Sequence, residues 1–273
     1  MLGERITWLS RGGRIAVACL VSIFMAITQF QTAIAQDVPE PGPSGGALEA
    51  HQIGQVTLEN EPQASGTVIV KANVALNSRK GPHSGYYDVN GSYPRNQQLT
   101  VECRTYGETL TGTVRKSRVW YRVSSRKYIS QAYVDIVKEP HVCSETKVND
   151  YPHQGDCPPT GGGPENRDQW GYTRGQCTSF AAWRGQQRLG VNLGGLGNAR
   201  DWNNNFSKTG TMPLVGSIAV AEGGVLGHVA YVAQVNADGT FTVEEYNWSG
   251  PCKYGVRTGL SRSSNGFSSF IYP

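Results

Sequence analysis

Read from the N-terminus, apolar positions form one unbroken run, then almost vanish, then return in short bursts, and finally gather into a helical stretch and a hairpin. The unbroken run, Ile15 to about Phe30, follows Arg5, Arg11 and Arg14 and precedes Ala33-Ile34-Ala35, a small-x-small cleavage pattern. That is the layout of a secretory signal over residues 1–35, and the run falls short of the roughly 20 apolar residues that span a bilayer. Residues 36–65 are rich in Pro, Gly and acid and lack the apolar content to pack a core, so they read as a linker. From 66 to 140 the runs Thr67-Val68-Ile69-Val70, Gln98-Leu99-Thr100-Val101, Val119-Trp120-Tyr121 and Ala132-Tyr133-Val134 alternate with turn residues, which predicts a small all-β barrel. A second Pro- and Gly-rich stretch, 141–165, reads as another linker and leaves about 108 residues, 166–273, for one further core.

In that last region the Ala- and aromatic-rich segment Cys177-Thr178-Ser179-Phe180-Ala181-Ala182-Trp183 follows a turn at Gly175 and predicts a helix that begins at the cysteine. Downstream, His228-Val229-Ala230-Tyr231-Val232 and Phe241-Thr242-Val243-Glu244-Glu245-Tyr246 read as the arms of a β-hairpin, with Asp238-Gly239 as the turn signal. The expected unit is α+β, the helix packed on an antiparallel sheet that includes the hairpin. Opposed residues in an antiparallel pair have numbers that add to a constant, and they share a face. A two-residue turn at 238–239 gives a sum of 477 and a four-residue loop at 236–239 gives 475. Either sum puts His228 on the face of Glu245 and opposite or diagonal to Asn247; a three-residue loop would favour Glu244 instead.

A cysteine in the first turn of a helix meets free N–H groups and the positive end of the helix dipole, which favour thiolate over thiol. His228, 51 residues downstream, would supply a base, with a carboxylate or amide on the same face to orient it. A lone cysteine in an exported chain is more often buried or disulfide-bonded; the hairpin is what turns Cys177 into a candidate nucleophile. Cys157, Cys177, His228 and Cys252 are all conceivable zinc ligands, but none occurs in a short C-x2-C or H-x3-H pair, so neither metal nor cofactor is expected.

The segment from Tyr172 onward resembles the CHAP domain, a papain-like cysteine amidohydrolase and peptidase domain of bacterial and phage cell-wall enzymes, through Gly175-Gln176-Cys177, Gly227-His228-Val229-Ala230-Tyr231-Val232 and Glu245-Tyr246-Asn247-Trp248. The run Pro213-Leu214-Val215-Gly216-Ser217-Ile218-Ala219-Val220 is similar to the strand that precedes the family's histidine. The resemblance implies Cys177 as nucleophile, His228 as general base and Glu245 with Asn247 orienting the imidazole. It suggests Tyr172, Gln176 and Trp248 as substrate-binding residues, with the Cys177 backbone N–H and either Gln176 or Tyr172 lining an oxyanion hole. The stretch Ala75-Leu76-Asn77-Ser78-Arg79-Lys80-Gly81-Pro82, with Trp120-Tyr121 and Ala132-Tyr133-Val134, is similar to a bacterial SH3-type domain. The fold class so implied is multi-domain: a small all-β SH3-like barrel followed by an α+β papain-like CHAP domain with an antiparallel sheet.

Charge refines this picture. Residues 66–140 carry twelve Lys and Arg against five Asp and Glu, a balance of +7 that the whole-chain value of +4 conceals. A basic barrel on an exported hydrolase suggests attachment to an anionic wall polymer as well as to peptidoglycan, and no nucleic-acid-binding motif accompanies it. Five cysteines remain after signal removal; with Cys177 free, the other four can pair in three ways among which sequence alone does not choose, and the pairing expected is Cys103–Cys143 with Cys157–Cys252, which keeps each bond inside one folding unit. Of the four tryptophans 170, 183, 202 and 248, the first three are expected in the core. The function implied is an exported peptidoglycan hydrolase, monomeric by assumption and free of membrane after signal cleavage. It would cut either the N-acetylmuramoyl-L-alanine amide or a bond within stem peptides and crossbridges. A catalytically silent wall-binding protein and a secreted effector acting on a host protein remain open, although the intact cysteine, histidine and carboxylate set argues against silence.

Overall fold

The structure, a computed structural model, describes residues 63–159, 161–262 and 265–273. The chain divides into two units, Met1–Val56 and Thr57–Pro273, and every described residue falls in the second. The signal expected at 1–35, and all but the last three residues of the linker expected at 36–65, lie outside the described residues.

Eight strands follow one another from residue 66: β1 (Gly66–Val70), β2 (Ala75–Arg79), β3 (Val89–Pro94), β4 (Gln98–Val101), β5 (Cys103–Thr111), β6 (Lys116–Ser124), β7 (Lys127–Ser130) and β8 (Val134–Lys138). They make two antiparallel sheets, ordered β4-β1-β8 and β3-β2-β7-β6-β5. Strict alternation in β1 turns Val68 and Val70 inward, where they meet Leu99, Val101 and Val134 of their own sheet and Leu76, Tyr121 and Ile129 of the other. Each such side chain, fully withdrawn from water, contributes about 1.5–3 kcal/mol of transfer free energy, which is what holds two short sheets face to face.

The second half contains α1 (Cys177–Leu189), α2 (Trp202–Asn205), and strands β9 (Thr209–Gly210), β10 (Ile218–Ala221), β11 (His228–Val235), β12 (Phe241–Tyr246), β13 (Tyr254–Leu260) and β14 (Ser269–Ile271). The strands form one antiparallel sheet, ordered β13-β12-β11-β10-β14-β9. Strands β10, β11 and β12 are buried on both faces; β10 and β11 accordingly read as near-continuous apolar runs, whereas β12 buries Thr242, Glu244 and Glu245 as well. On one face the small Ala181 and Ala182 let α1 approach Val229, Tyr231 and Ala233 closely. On the other, Ala230, Val232, Phe241 and Phe270 share a core with Tyr87 from the first half.

The two halves are joined by more than chain. Tyr86 stacks on Tyr272 with ring centroids 4.3 Å apart, Arg126 donates to the carbonyls of Leu189 (2.5 Å) and Pro273 (3.1 Å), and Lys208 pairs with Asp88 at 3.0 Å. The stretch expected to be a linker, 141–165, differs from that expectation. The Cys143 N–H donates to Arg104 O and the Glu145 N–H to Ala233 O, while Tyr151 is buried against Phe180 and Tyr246. Sulfur bridges join Cys103 to Cys143 and Cys157 to Cys252, leaving Cys177 as the free thiol among the described residues. One buried tyrosine and two cysteines anchor a segment whose composition otherwise reads as unstructured.

The hairpin loop is neither of the two lengths expected from Asp238-Gly239. Asn236 N–H donates to Thr240 O, which closes a three-residue loop, and the pairs Val235↔Phe241 and Gln234↔Thr242 add to 476. That register by itself would set Glu244 beside His228. A bulge at Ala233 then shifts the ladder to Val232↔Val243 and Tyr231↔Glu244, which add to 475, and the shift returns Glu245 to the face of His228.

Candidate active site

Cys177 is the first residue of α1, and Gln176 caps the helix with an extended backbone. The turn before it requires glycine: Gly175 has φ of +74°, and a Cβ there would overlap the Asp156 carbonyl and come within 2.9 Å of Cys252 Sγ. His228 opens β11 immediately after Gly227, whose φ is +72° and where a Cβ would stand 2.5 Å from Arg200 N. Two close-fitting turns thus aim the thiol and the imidazole from different elements.

His228 is buried, and its Nε2 lies 2.7 Å from Glu245 Oε2, which leaves Nδ1 for Cys177. Burial alone would push the His228 pKa down; hydrogen bonds to Cys177 and Glu245, reinforced by their charges, outweigh it and raise it to about 9. Glu245, only 1 % exposed, is held from its other side by Arg257: Nη2 donates to Oε2 at 2.8 Å and Nε to Oε1. The Arg257 guanidinium in turn lies 3.8 Å from the ring centroid of Trp248, whose own centroid is 5.0 Å from that of His228.

A groove of about 760 Å³ runs along this arrangement, lined among others by Arg167, Trp170, Gln176, Cys177, Asn198 and His228. A smaller cavity of about 230 Å³ lies between the two halves, lined by Arg122, Arg126, Tyr128 and Tyr231 among others and by none of the expected site residues.

Three expected site residues sit otherwise than their roles required. Asn247 makes no hydrogen bond to His228: its Nδ2 donates to Gln176 Oε1 at 2.7 Å and its Oδ1 accepts from Cys252 N at 2.9 Å. The reason is local, because β12 ends at Tyr246 and Asn247 turns left-handed at φ +64°, so face alternation no longer applies to it. Tyr172 lines the groove, but its hydroxyl donates to Leu193 O (2.7 Å) and accepts from Leu196 N (2.9 Å), which pins the 193–196 loop and rules it out as an oxyanion donor. Trp248 is 49 % exposed yet stands beside His228 rather than in the groove wall. Gln176, held at Oε1 by Asn247, keeps Nε2 without a hydrogen-bond partner among the described residues.

Residue reasoning overlooked the supports. Asp168 Oδ1 accepts from the N–H groups of Trp170 and Tyr172 at 2.9 Å each, and its Oδ2 accepts from Ser179 Oγ, which also meets the Tyr151 hydroxyl. An aspartate two residues before a tryptophan in a loop is a usable signal for such a turn. Nothing local marks Arg257. Two of the four conceivable zinc ligands, Cys157 and Cys252, are bonded to each other, and no group of three or more His, Cys, Asp or Glu suited to a metal occurs among the described residues.

Residues 167–247 match the CHAP domain. The chain is 40% identical over 83 residues to N-acetylmuramoyl-L-alanine amidase sle1 of Staphylococcus epidermidis, covering 29% of this chain and 25% of that protein. It is 35% identical over 106 residues to the staphylococcal secretory antigen SsaA of the same species, and 36% identical over 106 residues to that of Staphylococcus aureus, covering 37% of this chain and 39% of each relative. A crystal structure of an N-acetylmuramoyl-L-alanine amidase from Staphylococcus aureus is 31% identical, with 37% of this chain and 30% of that chain covered and a TM-score of 0.34. The chain therefore spans about a quarter to two fifths of the relatives it matches. Both Cys177 and His228 fall within the matched range, as do Glu245 and Asn247, whereas Arg257 falls beyond it.

Proposed function

We propose that this chain is an exported peptidoglycan hydrolase that cleaves a cell-wall amide through Cys177, with residues 166–273 as its catalytic CHAP domain and 66–140 as an SH3-like wall-binding domain. The observation that carries the reading is the continuous chain of contacts from Cys177 through His228 to Glu245, of which Cys177 and His228 line an open groove. The name of the sle1 relative, an N-acetylmuramoyl-L-alanine amidase, favours the bond between N-acetylmuramic acid and L-alanine over bonds within the peptides. A signal over 1–35 and a basic balance of +7 over 66–140 fit export and attachment to an anionic wall.

In the proposed reaction the Cys177 sulfur, as thiolate, attacks the amide carbonyl carbon, forming a C–S bond while the carbonyl π pair moves onto oxygen. The Cys177 backbone N–H and the free Nε2 of Gln176 are the donors that would stabilise this oxyanion. Collapse of the intermediate breaks the C–N bond, and protonated His228 gives its proton to the departing amine. Neutral His228 then takes a proton from water as its oxygen bonds to the thioester carbon; the C–S bond breaks with its electron pair returning to sulfur, the carboxylic acid leaves, and the Cys177 thiolate and protonated His228 are restored. Glu245 keeps the imidazole in one orientation throughout, and Asn247 serves the site by fixing Gln176 rather than the ring.

The test is dye release from labelled sacculi by the mature protein and its Cys177→Ala variant, with mass spectrometry of the soluble products. Release lost in the variant supports thiol hydrolysis, and the new termini identify the bond. Sacculi bound but not opened by either protein would sink the proposal.

A further inference from the structure

Strands β12 and β13 place Glu245 directly opposite Gly255, which presents no side chain, so Arg257, one step further along the same face, can reach over it to the carboxylate. The contact is a fork: Nε meets Oε1 and Nη2 meets Oε2, the second oxygen being the one that holds His228. The rear of the guanidinium plane is occupied as well, over the Trp248 ring at 3.8 Å and near that of Phe267 at 5.1 Å. The charged and titratable groups gathered on His228 are Cys177 from α1, Glu245 from β12 and, behind Glu245, Arg257 from β13; Trp248 and Phe267 supply apolar walls.

We infer that Arg257 is a positioning residue for the proposed reaction: its fork fixes the rotamer of Glu245, and through it the plane of the His228 ring, while its charge offsets a buried carboxylate behind the imidazole. The inference rests on the reading of Cys177 and His228 given above. Two roles are separable because only arginine offers two parallel N–H donors in a plane that also stacks on an aromatic face, whereas lysine supplies the charge without the fork. Without Arg257, Glu245 would keep a single donor in a site where its carboxylate is almost wholly removed from water, and the negative charge facing His228 would no longer be shared.

The experiment compares wild type, Arg257→Met and Arg257→Lys in three readouts: melting temperature, kcat and half-saturating substrate for dye release, and the rate of Cys177 alkylation by iodoacetamide against pH. In wild type the alkylation rate changes in a step as His228 loses its proton. In Arg257→Met that step moves up by about one pH unit, because a positive charge close to the imidazolium is gone. Its kcat falls roughly tenfold to a hundredfold with half-saturation little changed, as expected when the imidazole loses its orientation. Arg257→Lys returns the step to its wild-type pH and leaves kcat low. A step left in place by Arg257→Met, or kcat restored by lysine, overturns the inference alone. A wild type that shows no such step overturns the Cys177–His228 reading and the inference with it.

Discussion

Glu244 and Glu245 are neighbours in sequence, both almost wholly buried, and yet the bulge at Ala233 assigns them to different machinery. Glu244 faces α1, where its carboxylate accepts from Arg184 (2.9 Å), Arg188 and the Tyr254 hydroxyl (2.8 Å), with Arg184 itself fully buried. Changing Glu244 to Gln keeps one acceptor oxygen and removes the charge. Breaking one side of a buried ion pair costs about 3–5 kcal/mol. Arg184 retains Asp150 at 2.8 Å, Gln187 at 2.6 Å and the Val148 carbonyl at 2.9 Å, so the low end, about 3 kcal/mol, is expected here. For a unit of this size each kcal/mol is worth about 2–4 °C, so the melting temperature should fall by about 6–12 °C, while kcat per folded molecule stays within about twofold. Glu245→Gln should do the reverse where chemistry is concerned: kcat falls roughly 10²-fold or more, because His228, the proposed general base, loses its orienting anion. Thermal melting and dye release from labelled sacculi, run on both variants, separate the two outcomes. Equal losses of kcat in Glu244→Gln and Glu245→Gln, or an unchanged melting temperature in Glu244→Gln, would refute the division of labour that the bulge imposes.

Four further outcomes follow from the same geometry. His228 keeps its proton to about pH 9 and the proposed mechanism delivers that proton to the leaving amine, so kcat should decline as pH rises through about 9. In Cys177→Ala the NMR titration of His228 should move to lower pH, since a raising partner is gone; an unmoved titration would mean that the thiol does not touch the ring. Replacing Cys157 and Cys252 by serine opens a loop of 95 residues, worth about 4–5 kcal/mol of chain entropy, and loosens the Cys252–Asn247–Gln176 contacts. Both melting temperature and kcat should drop, and a destabilised variant with full kcat would show that the Gln176 support is dispensable. Gly227→Ala puts a side chain at φ +72° and 2.5 Å from Arg200 N, so it should displace His228 and cost roughly a hundredfold in activity; near-normal dye release would show that the turn can relax.

Regular elements were legible because they obey a period. The alternation of β1 and the bracketing turn residues announced short strands in 66–140, and the Ala-rich face after Gly175 announced a helix starting at Cys177. The stretch 141–165 was misread because its composition is that of an unpacked segment, while its placement is decided by Tyr151 and two cysteines whose partners lie up to 95 residues away. A long-range covalent tie leaves no periodic trace.

The hairpin shows how a parity argument can reach the right carboxylate from the wrong loop. Loops of two and four residues share a parity, the loop present has the other, and one extra residue at Ala233 reverses it again. Sequence offered no way to see that second reversal, because a bulge needs only one residue that pairs with nothing. The same parity fails at Asn247, where the strand has ended and a left-handed backbone sends the amide to Gln176. Arg257 is invisible for a related reason: its partner is fixed by strand pairing between β12 and β13, and that register shifts between Phe241 and Val243. Residues proposed to carry the chemistry thus sit on regular elements whose faces can be counted. Those that steer it are reached through a bulge, a strand end or a shifted register, and each of these moves a side chain to a neighbour that counting from the nearest turn does not name.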